Sequence, residues 1–210
     1  MNILFEDNHL IVVHKESGLL VQPTNLESDC LLNRLKNFIK QRDHKPGNVF
    51  LEPIHRIDKP VSGIVVFAKT SKALSRMMKS IREKECTKIY RALVTGKLPA
   101  KEGKLEHFLV HDEYHARICP KEGKPSVLYY KLIKRMEDTS LLEITLETGR
   151  YHQIRAQLSA IGCPIVGDKK YGSQKPYQKN AIALCHAKFS IPHPTTREIL
   201  HFEVSNLYLE

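Results

Sequence analysis

The chain has 210 residues, 41% of them hydrophobic, enough for one globular domain of ordinary size, or two small ones, with its own core. Lysine and arginine number 33 against 23 acidic residues, a formal charge of +10 that favours a polyanionic partner, whose counterions are released on binding. The five cysteines (Cys30, Cys86, Cys119, Cys163, Cys185) lack CxxC pairing and are odd in number, which argues against a disulfide scaffold and for thiols in a reducing cytoplasm. No apolar run is long enough to span a bilayer, and the opening MNILFEDNHL lacks a signal-peptide pattern, so a cytoplasmic protein without a membrane role is expected.

In chain order, Leu10 to Val13 form a short β-branched run followed by the turn-like Glu16-Ser17-Gly18, a strand and a turn. Leu31, Leu32, Leu35, Phe38 and Ile39 recur at helical spacing, with Ser28 or Asp29 as candidate cap. The polar stretch from Gln41 to Asn48, with Pro46-Gly47, reads as a loop. Ile64 to Phe67 suit a buried strand. The helix after it has Thr70 or Ser71 as cap and an apolar face of Leu74, Met77, Met78 and Ile81. Strands are expected over Tyr90–Thr95, Ser126–Lys134 and Leu141–Thr148. In the last, Leu142, Ile144 and Leu146 alternate with polar residues, so one face is wet.

Ile154, Leu158 and Ile161 mark a short helix that Gly162 can end in a left-handed cap, with Arg155 off its apolar face and able to point away from the core. Ile199 to Leu209 is strand-like. Strands outnumber helices and several are sequence neighbours. This predicts an α+β fold, a mixed, largely antiparallel sheet with packed helices. No linker interrupts the chain, so residues 1–210 are read as a single catalytic domain built of subdomains.

Three stretches could carry chemistry. In His55-Arg56-Ile57-Asp58-Lys59-Pro60-Val61-Ser62-Gly63, Pro60 and Gly63 shape a loop before a strand. Asp58 there, beside Arg56 and Lys59, is expected to be charged, and a held carboxylate can act as nucleophile or base. In Gly149-Arg150-Tyr151-His152-Gln153-Ile154-Arg155, a strand gives way to a helix whose first amides, with two arginines, can hold an anion. Alternation over Lys88 to Val94 puts Lys88, Tyr90 and Ala92 on one face, where Tyr90 could stack on a base. Taken singly, each stretch fits a commoner role: a turn Asp, surface arginines, a packed Tyr. His107, His111 and His115 are spaced by four, as metal ligands on a helix can be. Their surroundings read as strand or irregular chain, which favours surface histidines over a metal-dependent hydrolase.

Together and in this order, the three stretches resemble the RluA-type family of RNA pseudouridine synthases. His55 to Gly63 is similar to its HRLD-x-x-TSG loop, and Gly149 to Arg155 to its G-R-T-H-Q-I-R segment. Gly167-Asp168-Lys169-Lys170-Tyr171-Gly172 matches G-D-x-x-Y-G, and Val12 to Pro23 resembles the first motif. His186-Ala187-Lys188 with His193-Pro194 also fits. Ile57, Val61, Tyr151 and His14 depart from the usual Leu, Thr, Thr and Asn, which bears on loop bracing and substrate preference. The motifs begin almost at Met1, so a compact member without an S4-like extension is expected.

The resemblance implies the pseudouridine synthase fold and an isomerase needing no cofactor or metal. It would turn uridine into pseudouridine in structured RNA, ribosomal or transfer. Asp58 would be nucleophile or base, Arg155 would pair with it, and Tyr90 would pack on the target base. Arg56, Lys59, Lys88, Arg150, His152 and Gln153 would contact RNA, and a monomer is the default. The alternative is a non-catalytic RNA-binding or ribosome-assembly protein, which basicity fits equally and the Asp58, Tyr90 and Arg155 set disfavours.

Overall fold

A computed structural model describes residues 2–205. The elements are β1 (Asn2–Glu6), β2 (Leu10–Lys15), α1 (Leu31–Arg42), β3 (Glu52–Pro53), β4 (Ser62–Ala68), α2 (Ser71–Arg82) and β5 (Thr87–Val94). There follow β6 (Glu102–His111), β7 (Ala116–Ile118), β8 (Lys124–Arg135), β9 (Ser140–Leu146), α3 (Gln153–Ala160), β10 (Leu184–Pro192) and β11 (Ile199–Glu203). They fall into two compact units, Met1–Thr87 with Lys188–Val204, and Lys88–Ala187.

In the first unit β2 lies between β1 and β4, antiparallel to both, with Val12 opposite Val66 and Lys15 opposite Gly63. Its apolar run and that of β4 are buried along their length, the pattern of strands covered on both faces. α2 packs on β4, and the Thr70 hydroxyl accepts from the Ala73 amide at 3.1 Å, so the expected cap forms. The α1 cap differs: the helix starts after Cys30 without a side-chain cap. Asp29 instead takes both arms of Arg34, at 2.8 and 2.6 Å, a charge-assisted fork that outcompetes capping. Residues Lys188 to Pro192 of β10 pair antiparallel with β11. The last part of the expected C-terminal strand, 206–209, lies outside the described residues.

The second unit is an antiparallel sheet in the order β5, β9, β8, β6, β7, with the β6–β7 hairpin outside β8 and β9. Leu142 and Ile144 of β9 are fully buried, while Glu143 is half-buried, as alternation requires. α3 packs on β6 and β7. It ends in a Schellman motif: Gly162, at φ +72°, donates to Ser159 O, and Cys163 donates to Leu158 O, at 2.9 and 3.0 Å. The pairings between named strands within each unit are antiparallel, and a parallel bridge joins Leu20 to Cys30. The fold class is α+β, as the alternation of apolar runs predicts.

Candidate active site

Asp58 sits half-buried at the first position of a turn closed by the Val61 amide on the Asp58 carbonyl, at 3.0 Å. Ile57 and Val61 on either side are 8% and 2% exposed and anchor the loop in the core. Its far end enters β4 through Gly63 at φ +121°, a conformation L side chains rarely adopt. Its middle is held from β2. The Lys59 carbonyl accepts from the Gly18 amide at 2.8 Å and from the Lys15 ammonium at 3.2 Å.

Lys15 is fully buried, and its ammonium also donates to the carbonyls of Glu16 and Leu19, at 2.9 and 2.7 Å. Burial pushes its pKa down to about 7, and the Asp58 charge opposes this. Three carbonyl acceptors match the three N–H groups of an ammonium, so the protonated form is fully satisfied. Arg56 and Lys59 are exposed, and Lys59 pairs with Glu27.

In the second unit Tyr90 is 7% exposed on β5, and its ring stacks on His186 with centroids 4.5 Å apart. Lys88, two residues earlier on the same face, is half-buried. Arg155 is not turned outward as its place off the Ile154 stripe suggests. It is 5% exposed, and α3 is buried continuously from Gln153 to Leu158. A two-point fork makes this possible: Nε and Nη2 donate to the two oxygens of Asp168, at 2.7 and 2.9 Å. The guanidinium also lies over the Tyr171 ring, 4.9 Å from its centroid.

Gln153 is 3% exposed, and its amide is engaged with protein groups. The carbonyl accepts from the Arg150 amide and the Thr148 hydroxyl, and the NH2 donates to Val127 O. Arg150 is exposed, with Nε donating to Pro125 O at 3.3 Å. His152 is 8% exposed, at φ +49°. Burial first, then Arg155 and Lys170, hold its pKa down to about 3. His107 contacts the Gln157 amide, His111 lies against Tyr151, and His115 stacks on Tyr171. Among the described residues no group of three His, Cys, Asp or Glu side chains is placed to hold a metal ion.

Lys15, Asp168 and His186 are the supporting residues to which sequence reasoning gave no role. All three lie within the motifs quoted above, but each has a partner well away in sequence, Lys59 for Lys15, Arg155 for Asp168 and Tyr90 for His186, and periodicity does not register such pairs.

Residues 9–160 match the family described as RNA pseudouridylate synthase. The chain is 36% identical over 212 residues to the dual-specificity RNA pseudouridine synthase RluA of Pasteurella multocida, covering 96% of this chain and 91% of that protein. It is 35% identical to the ribosomal large subunit pseudouridine synthase D of Nitrosomonas europaea, covering 97% of this chain and 61% of that longer protein. It is 37% identical to the ribosomal large subunit pseudouridine synthase C of Buchnera aphidicola from Schizaphis graminum, covering 95% of this chain and 65% of that protein. It thus spans less than two thirds of these two longer relatives. In fold it is similar to human RNA pseudouridylate synthase domain containing 4, with a TM-score of 0.82, 20% identity and 99% and 90% of the two chains covered. The run of motifs from Val12 to Gly172 and the α+β fold that carries them agree with these matches: the chain belongs to the RNA pseudouridylate synthase family.

Proposed function

We propose that this chain is an RNA pseudouridine synthase, isomerising selected uridines in ribosomal large-subunit or transfer RNA. What carries the reading is the seat of Asp58, a carboxylate in a loop fixed by buried neighbours and by the Lys15 ammonium. A reacting group held this way loses little orientational freedom on substrate binding.

In the reaction the N1–C1′ bond breaks, the uracil turns, and a C5–C1′ bond forms. The C5 proton leaves and N1 gains one, so the net change is an isomerisation. Asp58 is assigned as nucleophile or base. Arg155, oriented by Asp168, is assigned as the cation that balances it, and Tyr90 as the ring against the target base. A base inside a stem must be extruded to react. Arg56, Lys59, Lys88 and Arg150 are assigned to the phosphates, which position RNA without reading sequence. His152 and Gln153 are assigned to the same RNA contact by shaping the loop that presents Arg150. We assign the two units to one catalytic domain over residues 1–210, acting as a cytoplasmic monomer.

Pseudouridine mapping of ribosomal and transfer RNA, from cells with and without the gene, tests this. One or a few sites are expected to vanish with the gene and return on complementation. An unchanged map would refute the assignment.

A further inference from the structure

The loop 22–29 leaves and returns at one place. At its base the Leu31 amide donates to Leu20 O at 2.8 Å and the Leu32 amide to Val21 O at 3.1 Å, where α1 begins. Inside it the Thr24 amide donates to Glu27 O at 2.9 Å, and the Thr24 hydroxyl oxygen accepts from the Leu26 and Glu27 amides, at 3.3 and 3.1 Å. These bonds close a turn that fixes the backbone of Glu27. The return end is tied to α1, with Asn33 Nδ2 donating to Ser28 O at 2.8 Å and Arg34 held on Asp29. Residues 23–29 are exposed except Glu27, which is half-buried.

The Glu27 carboxylate reaches the loop that carries Asp58 and takes the Lys59 ammonium. The backbone of Lys59 is fixed, since its carbonyl accepts from the Gly18 amide and the Lys15 ammonium. The side chains of Lys59 and Glu27 are 44% and 37% exposed, so water and salt screen the pair and it is easily broken. An ammonium on a fixed base next to Asp58, in a protein of charge +10, is a place for an RNA phosphate. The carboxylate already there offers the same chemistry, anionic oxygen accepting from an ammonium. A phosphate arriving at Lys59 therefore meets a like charge, which costs affinity for as long as Glu27 stays.

We propose that Glu27 stands in for an RNA phosphate on Lys59, and that the loop 22–29 is a strap, fastened to the Asp58 loop by this pair, which substrate RNA displaces. A ligand that brings no phosphate to Lys59 leaves the strap fastened, so the pair favours a polynucleotide over a free nucleoside. That an RNA phosphate is the displacing anion rests on the pseudouridine synthase reading. The strap itself does not.

Two measurements on the full chain test this. The first is the affinity of a uridine-containing stem-loop RNA for wild type, Glu27→Gln, Lys59→Gln and the double variant. Glu27→Gln is expected to tighten binding about threefold, the scale of one exposed ion pair, and Lys59→Gln to weaken it. In the Lys59→Gln background, Glu27→Gln is expected to add nothing. A gain that persists without Lys59 is a general charge effect and overturns the proposal. Unchanged or weaker binding in Glu27→Gln overturns it too. The second is NMR relaxation of the backbone amides of residues 24–28. Their order parameters are expected to fall alike in the two single variants, and in wild type on adding the RNA. Values that match free wild type in both variants overturn the strap. A wild type that binds no RNA refutes the pseudouridine synthase reading instead, while the relaxation of the free variants still decides whether Glu27 fastens the loop.

Discussion

Lys15 shows how a single side chain can carry a loop. Its fully buried ammonium serves three carbonyls, and one of them belongs to the residue after Asp58. Lys15→Met keeps the apolar stem and strips the donors, leaving buried oxygens unpaired. A loss of about 3 kcal/mol in stability is expected, with activity falling further than stability because the Asp58 loop loosens. Urea unfolding and turnover of the same preparation check this, and equal, small losses in both would contradict it.

His152 predicts a pH dependence. Its folded pKa of about 3 lies below its ordinary 6.5, so between those values the unfolded chain binds more protons and stability falls as pH drops. The paired carboxylates Glu6 and Asp7 act in the same direction only below their own ordinary range, near 4. His14 and His107, also lowered by burial, share the upper window, so the comparison must be with a variant. In His152→Gln the decline of the urea midpoint from pH 6.5 to 4.5 is expected to be shallower than in wild type. Parallel curves would contradict the burial account.

At the level of elements, α3 is defined by its two ends. Gln153 ties its start to Thr148, Arg150 and Val127, and Gly162 closes its last turn. A Cβ added to Gly162 meets nothing within 4 Å, so Gly162→Ala costs only the left-handed backbone, about 1 kcal/mol. Gly96 is different. It is also left-handed, and a Cβ there would stand 2.2 Å from the Gly162 carbonyl oxygen. Gly96→Ala therefore adds a backbone clash to the strain and is expected to cost at least twice as much. Thermal unfolding of the two variants compares them directly, and equal losses would mean that the close approach is not held in solution.

At the scale of the whole molecule, most of the architecture is readable along the chain because β2, β4, β8 and β9 obey period-two or fully apolar patterns. β6 is harder: only Leu105 and Leu109 of its residues are buried, so its alternation is thin. The motif residues Asp58, Tyr90 and Arg155 are legible through family resemblance, while their supports are not. The bonds from Lys15 to Lys59 O and from Ala116 to Tyr171 join residues 44 and 55 positions apart, which no local pattern encodes. Arg155 shows the same limit, since helical spacing alone puts it outside and the distant Asp168 draws it in.

The charge of +10 bears on substrate affinity across the molecule. If Arg150 holds a phosphate, Arg150→Gln weakens RNA binding for all sequences alike and lowers the slope of log affinity against log salt by about one. An unchanged slope would remove Arg150 from the RNA interface.

The most direct measurement is release of the C5 hydrogen from RNA carrying 5-tritiated uridine, with Asp58→Asn compared to wild type under single-turnover conditions. The variant is expected to bind the RNA as wild type does and to release no tritium. Release at the wild-type rate would contradict it.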